Sequence, residues 1–455
     1  MVPTFHNKLF IIFGGDLILL ILATWYAPWI RGWQYEVFDL ETGASVLTIM
    51  FYLLMIYVFD LYNVQRVSFL SNTALRISIA VGAAGVLSTI LFYSIPQFRF
   101  GRSVFLVQVV LVWCSLVIWR YFFQYIFAKG EKEKVVIIGR GESGKELYSL
   151  LSNPLSPYQV VGVLDDDPAG ETDDPKVKFL GTTERLIQVV FLEGIKSAIV
   201  PISHVHSAQL VRNLVQARLK MDINIIEMPK LYETLTRSIP VEHIDDRWIL
   251  SADGFNLISR RHVWRLKQLS DFCLAVLLLI LTAPLIGLLS LIIPLDSPGP
   301  AFFKQKRVGY KGRIFTLLKF RSMIQDAEQD GAVWADKSDP RVTRVGRFIR
   351  KLRLDETPQV INILRGEMSL IGPRPERPEF VEELENRIPY YAFRHLVRPG
   401  ITGWAQVNFP YGASVEDGVR KLEYDLFYIK NMNFLLDLKI TLKTIGVVIF
   451  GEGAR

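Results

Sequence analysis

The sequence predicts a membrane protein of mixed class, with an N-terminal four-helix transmembrane bundle, a Rossmann-like α/β domain and a mostly α C-terminal domain. Three observations predict it. Half of the 455 residues are hydrophobic and the mean hydropathy is +0.27, too apolar for an ordinary soluble protein. Four apolar stretches open the chain, each close to the ~20 residues that a bilayer core requires. Beyond them, short strand-like runs alternate with helical patterns, the texture of a parallel sheet covered by helices. At ~150 residues per domain the length suits about three domains, expected at residues 1–130, 131–255 and 256–455.

The opening stretches are Leu9–Ile30, Ala44–Tyr62, Ile77–Ile95 and Val104–Ile126. A soluble bundle of such helices would have little polar surface. Lys129, Lys132 and Lys134 follow the fourth, whereas Arg31 to Glu41 carries one basic and three acidic residues. The basic side faces the cytoplasm, so the end of the fourth helix and Met1 are expected there, with Arg99 and Arg102 opposing. No cleavable signal peptide is expected, because the first stretch lacks an Ala-x-Ala-type site.

Val135–Ile138 is a buried strand by pattern, followed by Gly139-Arg140-Gly141-Glu142-Ser143-Gly144 and a helical stretch. Val160–Leu164 is a second strand, ending in Asp165-Asp166-Asp167, and Ala198–Pro201 and Ile223–Ile226 are two more. Gly139, Gly141 and Gly144 allow close backbone approach at a helix start that attracts phosphate, and Asp165 stands about 20 residues beyond, where a ribose partner belongs. The loop is a nucleotide-binding candidate, with a tight turn kept for structure alone as the other reading. A short-chain dehydrogenase or dehydratase needs a Tyr-x-x-x-Lys after this loop; the match, Tyr125 to Lys129, precedes it.

A connector with Arg260, Arg261, Trp264, Arg265 and Lys267 suits a membrane surface. A fifth apolar run, Phe272–Leu295, carries Pro284 near its middle, where the missing donor kinks a helix. Phe434–Phe450 is amphipathic. The formal charge of +7 and pI of about 9.2 suit anionic lipid or phosphorylated ligands. Nucleic acid is not expected, since no motif for it is present. Cys114 and Cys273 lie in apolar runs and suggest neither disulfide nor metal site.

The densest chemistry runs from Lys319 to Pro375. Lys319 and Arg321 flank Phe320; Asp339-Pro340-Arg341 opens a basic stretch with Arg344, Arg347, Arg350, Lys351 and Arg353. Asp355 and Glu356 follow at once, then Pro358-Gln359, Asn362 and Gly366–Pro375. Gly372-Pro373-Arg374-Pro375 is a rigid turn that fixes one arginine's direction, which a merely solvated charged face does not need. Cations around two carboxylates suit a phosphate-rich substrate with a divalent metal: guanidinium groups hold phosphate oxygens, and a carboxylate can hold Mg²⁺ or attack phosphorus.

These residues carry a resemblance. Lys319–Met323, Leu354–Gln359, Gly366–Pro375 and Arg398–Val407 make residues 270–455 similar to the catalytic domain of the bacterial polyprenyl-phosphate hexose-1-phosphate transferases, the monotopic phosphoglycosyl transferase superfamily. Residues 1 to about 250 resemble the extension of its larger members, and the last third resembles the exopolysaccharide-associated branch. Thr357 stands where the family commonly has Leu. The resemblance implies attack of Asp355 on the β-phosphate of a UDP-hexose, release of UMP, and transfer of the phosphosugar to undecaprenyl phosphate. It implies Glu356 as metal- or proton-handling partner, with Asp355 and Glu356 as ligands of Mg²⁺. Lys319, Arg321, Arg353, Arg374 and Gln359 become candidates for substrate and phosphate contacts. It implies glucose first and galactose next, a homodimer, and a multi-pass protein of the bacterial inner membrane whose catalytic domain is cytoplasmic. It also makes residues 271–295 a re-entrant hairpin, since a fifth crossing would put Asp355 outside, away from UDP-sugars. A membrane-anchored nucleotide-sugar dehydratase and a nucleotide-sensing regulator without catalysis stand as the alternatives.

Overall fold

A computed structural model describes residues 5–30, 43–59, 61–62, 70–95, 102–128, 132–152, 156–166, 178–201, 208–255, 261–325, 341–409 and 414–450. The loop charges at 31–41, Arg99, Lys129, Asp167, Arg260, Asp339, Pro340 and the terminal residues 451–455 lie outside the described residues. The chain forms two compact units, Met1–Ile226 and Glu227–Arg455.

The first unit opens with α1 (Phe5–Ile30), α2 (Gly43–Val58), α3 (Leu70–Ser94) and α4 (Arg102–Ala128). α1 packs on α4 and α2 on α3. Their outward faces are as apolar as their inward ones: Phe10, Met50, Leu75, Val86, Leu106 and Ile118 are exposed while Leu20, Ile56, Ala84 and Leu116 are buried. Helices apolar all round belong in lipid. Two buried hydroxyls fold back on their own helices, Thr24 onto the Leu20 carbonyl at 2.7 Å and Thr48 onto that of Ala44 at 2.8 Å, which satisfies these two donors without water. Phe10–Ile30, Thr73–Ser94 and Arg102–Phe123 are long and apolar enough to cross a membrane. α2 has 16 residues, because Phe59, Leu61 and Tyr62 lie in turns rather than prolonging it as expected.

A five-stranded sheet follows, built from β1 (Glu133–Ile138), β2 (Tyr158–Leu164), β3 (Phe179–Gly181), β4 (Ser197–Val200) and β5 (Asn224–Glu227) in the order β3-β2-β1-β4-β5. β1 pairs in parallel with β2 and β4, and β2 with β3. Val135 to Ile138 are buried to 1% or less, as a central parallel strand covered on both faces must be. α5 (Glu142–Leu151), α6 (Leu186–Glu193) and α7 (Ala208–Met221) provide the crossovers.

The second unit begins earlier than the sequence-based boundary at 255. α8 (Met228–Thr236) and α9 (Asp246–Ser251) fold against helix α15 (Val415–Asn431) and its neighbours. Glu233 accepts from Lys430 at 2.5 Å and Asn431 at 2.8 Å, Arg420 donates to the Tyr232 hydroxyl at 2.7 Å, and the Trp404 indole donates to the Arg237 carbonyl at 2.9 Å. The basic connector and the fifth apolar run form one 36-residue helix, α10 (Arg261–Asp296), with Pro284 and Pro294 inside it. Before Pro284, Ala275, Leu278 and Leu279 pack with Leu317, Val360, Ile363 and Met368. Beyond it, Leu285, Ile286, Leu289 and Ile293 pack with Ala301, Phe320 and Ile349. The opposite face exposes Phe272, Leu277, Ile280, Leu281, Leu291 and Leu295.

An antiparallel hairpin of β6 (Phe302–Val308) and β7 (Ile314–Phe320) interrupts the mostly α pattern. Then come α11 (Arg344–Lys351), α12 (Gln359–Leu364), β8 (Ser369–Ile371), α13 (Pro378–Arg387), β9 (Gly400–Thr402), α14 (Trp404–Asn408), α15 and α16 (Phe434–Phe450). β8 and β9 pair in parallel.

Candidate active site

The two adjacent carboxylates stand on a single 3-10 turn, Leu354–Glu356, between α11 and α12. Arg353 enters it in the left-handed region, with φ of 55°, which reverses the chain after α11. Neighbouring side chains on a 3-10 turn diverge by about 120°. Asp355 and Glu356 therefore face different partners although adjacent in sequence.

Glu356 takes the cations. Arg374 Nη2 donates to its Oε1 at 2.7 Å, and Lys319 Nζ lies 3.5 Å from the same oxygen. Asp355 takes part in neither bond. The two groups titrate apart accordingly. Burial would raise the Glu356 carboxyl, but Arg374, Lys319 and Arg353 outweigh it and hold the group down at about 2. Burial, and next the charge of Glu356, raise Asp355 above the usual carboxylate range, against Lys319, Arg374 and Arg350. Burial first, then Arg374 and Arg307, lower Lys319, with Glu356 and Asp355 opposing. Two carboxylates pushed apart in this way mark a division of roles.

Three elements bring the cations here. Lys319 is the penultimate residue of β7, and β7 is tied to α12 by Asn362: its side-chain oxygen accepts from the Leu318 N–H at 3.1 Å and its amide donates to the Thr316 carbonyl at 2.8 Å. Arg374 follows β8 on a turn locked to β9, with the Gly372 N–H on the Thr402 carbonyl and the Gly400 N–H on that of Pro373, each at 2.9 Å. Gly372 and Gly400 meet backbone to backbone, so a Cβ on Gly400 would strike the Gly372 nitrogen. Beneath β8, Ser369 donates to Asp271 of α10 at 2.7 Å.

The other sequence candidates divide. Arg353 borders the pair and acts on Glu356 through its charge. Gln359 is buried as the first residue of α12. Arg321 is not gathered with the pair. It lies beyond the end of β7, and its guanidinium donates to the carbonyls of Pro298, at 2.7 Å, and Ser297, closing the chain after α10. In the first unit Gly139 adopts φ of 91°, and Gly144 abuts its carbonyl, as a strand-to-helix turn requires. Asp165 accepts from the Arg140 N–H at 2.6 Å, so it braces the loop itself. The Arg140 guanidinium lies 4.2 Å over the Phe179 ring. Sequence reasoning misses Asn362, Arg394 and Asp425 as site residues; Asn362 alone carries a signal, as the polar residue within the apolar run Val360–Leu364.

No group of three or more His, Cys, Asp or Glu side chains gathers among the described residues. Mg²⁺ commonly takes one or two carboxylates and completes its octahedron with water and substrate phosphate. Asp355 and the Glu356 oxygen not claimed by Arg374 and Lys319 fit that kind of site, and not an all-protein cage.

Comparison with known proteins finds relatives of this chain by sequence. A family described as bacterial sugar transferase matches residues 262–451, and one described as a CoA-binding domain matches residues 57–229. The UDP-N-acetylgalactosamine-undecaprenyl-phosphate N-acetylgalactosaminephosphotransferase of Aeromonas hydrophila is 45% identical over 233 residues, covering 51% of this chain and 54% of its own. The undecaprenyl-phosphate glucose phosphotransferase of Komagataeibacter xylinus is 36% identical over 332 residues, covering 70% and 60%. The UDP-glucose:undecaprenyl-phosphate glucose-1-phosphate transferase of Escherichia coli (strain K12) is 32% identical over 318 residues, covering 69% and 67%. The chain thus spans between half and two thirds of the length of the first two of these relatives.

Proposed function

We propose, for a chain that belongs to the bacterial sugar transferase family, that it moves hexose-1-phosphate from a UDP-hexose to undecaprenyl phosphate. The products are UMP and undecaprenyl-diphosphate-hexose, and the step initiates an exopolysaccharide or capsule repeat unit. The observation that carries this reading is the split acidic pair: Glu356 engaged by Arg374 and Lys319, Asp355 bound by neither.

In this reading the Asp355 carboxylate attacks the β-phosphorus, and the bond from that phosphorus to the oxygen bridging the two phosphates breaks. UMP leaves with the electron pair, and the sugar-phosphate stays on Asp355 as an acyl phosphate. An oxygen of undecaprenyl phosphate then attacks the same phosphorus and Asp355 is released. Splitting the reaction keeps UMP and the lipid phosphate from crowding the site together. Arg374 and Lys319 stabilise charge on the equatorial oxygens. Mg²⁺ held by Asp355 and Glu356 would neutralise the diphosphate.

The reading places the C-terminal unit in the cytoplasm of a bacterial inner-membrane protein, with α10 entering and leaving the bilayer on one side. The support is that both halves of α10 pack on the same body, with Asp271 bonded to Ser369 near one end and Asp296 to the Val345 N–H at the other. A straight crossing would pull one of these ends away. Tyr125 belongs to α4, ahead of the glycine loop, which disfavours a dehydratase.

The test is incubation of the full-length protein with undecaprenyl phosphate, Mg²⁺ and UDP-glucose, UDP-galactose or UDP-N-acetylgalactosamine. UMP release with UDP-glucose is expected. The third donor is included because a relative at 45% identity is named for it. A keto-sugar, or no UMP from any donor, overturns the reading.

A further inference from the structure

Arg374 reaches Glu356 from a turn whose outer side is held by a second, deeper ion pair. Arg394, in the 3-10 segment Tyr391–Leu396, is 5% exposed, and Asp425, in the middle of α15, is 1% exposed. One guanidinium nitrogen of Arg394, Nη2, donates both to Asp425 Oδ2 at 2.9 Å and to the backbone carbonyl of Arg374 at 3.0 Å. The other terminal nitrogen donates to the Tyr391 hydroxyl. Next along the turn, Arg307 Nη1 donates to the Pro375 carbonyl at 3.0 Å, and the Val308 N–H to that of Glu376 at 3.0 Å.

A buried arginine paired with a buried carboxylate can serve stability alone, but such a pair is weak evidence for stability, since desolvation offsets much of its attraction. The geometry gives this one a second use. The planar guanidinium has its rotation fixed by Asp425, which aims the remaining Nη2 hydrogen at one carbonyl. That carbonyl belongs to the residue whose side chain contacts Glu356 at 2.7 Å. Pro373 and Pro375 flank it with fixed φ, so orienting the carbonyl of residue 374 orients its Cα–Cβ bond.

We propose that Arg394 and Asp425 are positioning residues for sugar-phosphate transfer: the pair holds the Arg374 carbonyl and thereby aims the Arg374 guanidinium at Glu356 and the reacting phosphate. This rests on the transfer reading above. Arg394→Lys keeps the charge and loses the fork. Asp425→Asn keeps the shape and weakens the acceptor.

The experiment measures UMP release by full-length wild type, Arg374→Ala, Arg394→Lys, Asp425→Asn and the double variant Arg374→Ala/Arg394→Lys. UDP-glucose, undecaprenyl phosphate and Mg²⁺ are supplied, and rates are normalised to the burst of UMP, which counts competent sites. A misaimed guanidinium should lower kcat per site about tenfold or more, with KM for UDP-glucose held within about threefold. In the Arg374→Ala background, Arg394→Lys should cost less than about twofold, because the group it aims is gone. A role in folding alone would shrink the burst, leave kcat per site unchanged, and multiply with Arg374→Ala; that result overturns the proposal. If Arg394→Lys does not fold, Asp425→Asn is judged alone and in the Arg374→Ala background by the same criteria. A wild type that releases no UMP defeats the transfer reading itself. An active wild type with an impaired Arg374→Ala, but with full rates per site for Arg394→Lys and Asp425→Asn, defeats only this inference.

Discussion

Asp16 of α1 and Arg120 of α4 form an ion pair at 2.7 Å, with side chains only 0% and 4% exposed, inside a largely apolar helix bundle. The pair fixes the rotation of the two helices against each other, since leaving either charge alone in hydrocarbon is costly. The Arg120 guanidinium also lies 5.6 Å from the Tyr62 ring centre. Asp16→Asn and Arg120→Gln should each destabilise the protein in detergent, and the double variant should lose no more than the worse single one. Unfolding midpoints in a double-mutant cycle measure this, with a coupling of about 0.5 kcal/mol or more expected. Additive losses would show the pair to be unimportant.

The catalytic roles separate by mass spectrometry. With UDP-sugar and no lipid acceptor, the protein should gain one hexose-phosphate, mapped to Asp355. Asp355→Asn should lose adduct and turnover together. Glu356→Gln should lose turnover, because Arg374 and Lys319 then have no carboxylate to be held by. An adduct on Glu356, or a working Asp355→Asn, would reverse the assignment.

Much of this site was legible because its residues declare their chemistry locally. Asp355 and Glu356 are adjacent, and Gly372–Pro375 is a turn by composition. Arg321 shows where such reading stops. Two residues after Lys319, it would share a face with it if the strand continued. β7 ends at Phe320, however, and Arg321 turns to the carbonyls that end α10. Asp425 lies 31 residues from Arg394, and Thr316 46 from Asn362, so no local pattern could pair them. The same holds for the fold. Long apolar runs and the buried strands β1, β2 and β4 are written in periodicity. β3 has three residues, too few for any period, and β6 mixes Phe with Lys because it is exposed along most of its length.

The activity should fall with acidity in a specific direction. As the proposed nucleophile, Asp355 would attack only as the carboxylate, and burial with the charge of Glu356 raises its pKa. The rate of adduct formation is therefore full above that raised pKa and is lost as pH falls through it. Arg350 is among the cations that pull it down, so Arg350→Gln should move the acid limb to higher pH. A limb unmoved or shifted to lower pH in single-turnover pH profiles would show that Asp355 is not the group titrating.

The clamp made by α8 and α9 bears on where the catalytic unit can be cut. A chain starting at Glu227 keeps Glu233 on Lys430 and Asn431, and the Arg237 carbonyl on Trp404. A chain starting at Arg260 loses these contacts to Glu233 and to the Arg237 carbonyl. The longer fragment should therefore unfold several degrees higher and retain more transfer per milligram. Equal melting curves in matched detergent would mean that the clamp contributes nothing.

The placement of α10 gives the sharpest topological test. Its 36 residues exceed what a straight crossing needs, and its outer face is apolar from Phe272 to Leu295. Yet the residues on either side of Pro284 rest on one body, Ala275 in a core cluster with Met368 and Ile363, and Ile293 in one with Phe320 and Ile349. Pro284 leaves the Ile280 carbonyl without its usual donor, which lets the helix bend while both ends stay docked. Cysteines placed at Arg265 and Lys304, both exposed and on opposite flanks of the apolar stretch, report the outcome once Cys114 and Cys273 are replaced by serine. An impermeant thiol reagent should label both from the cytoplasmic side in inverted vesicles and neither in intact cells. Labelling of one from each side would mean that α10 crosses the membrane, and would put Asp355 and the nucleotide-sugar in different compartments.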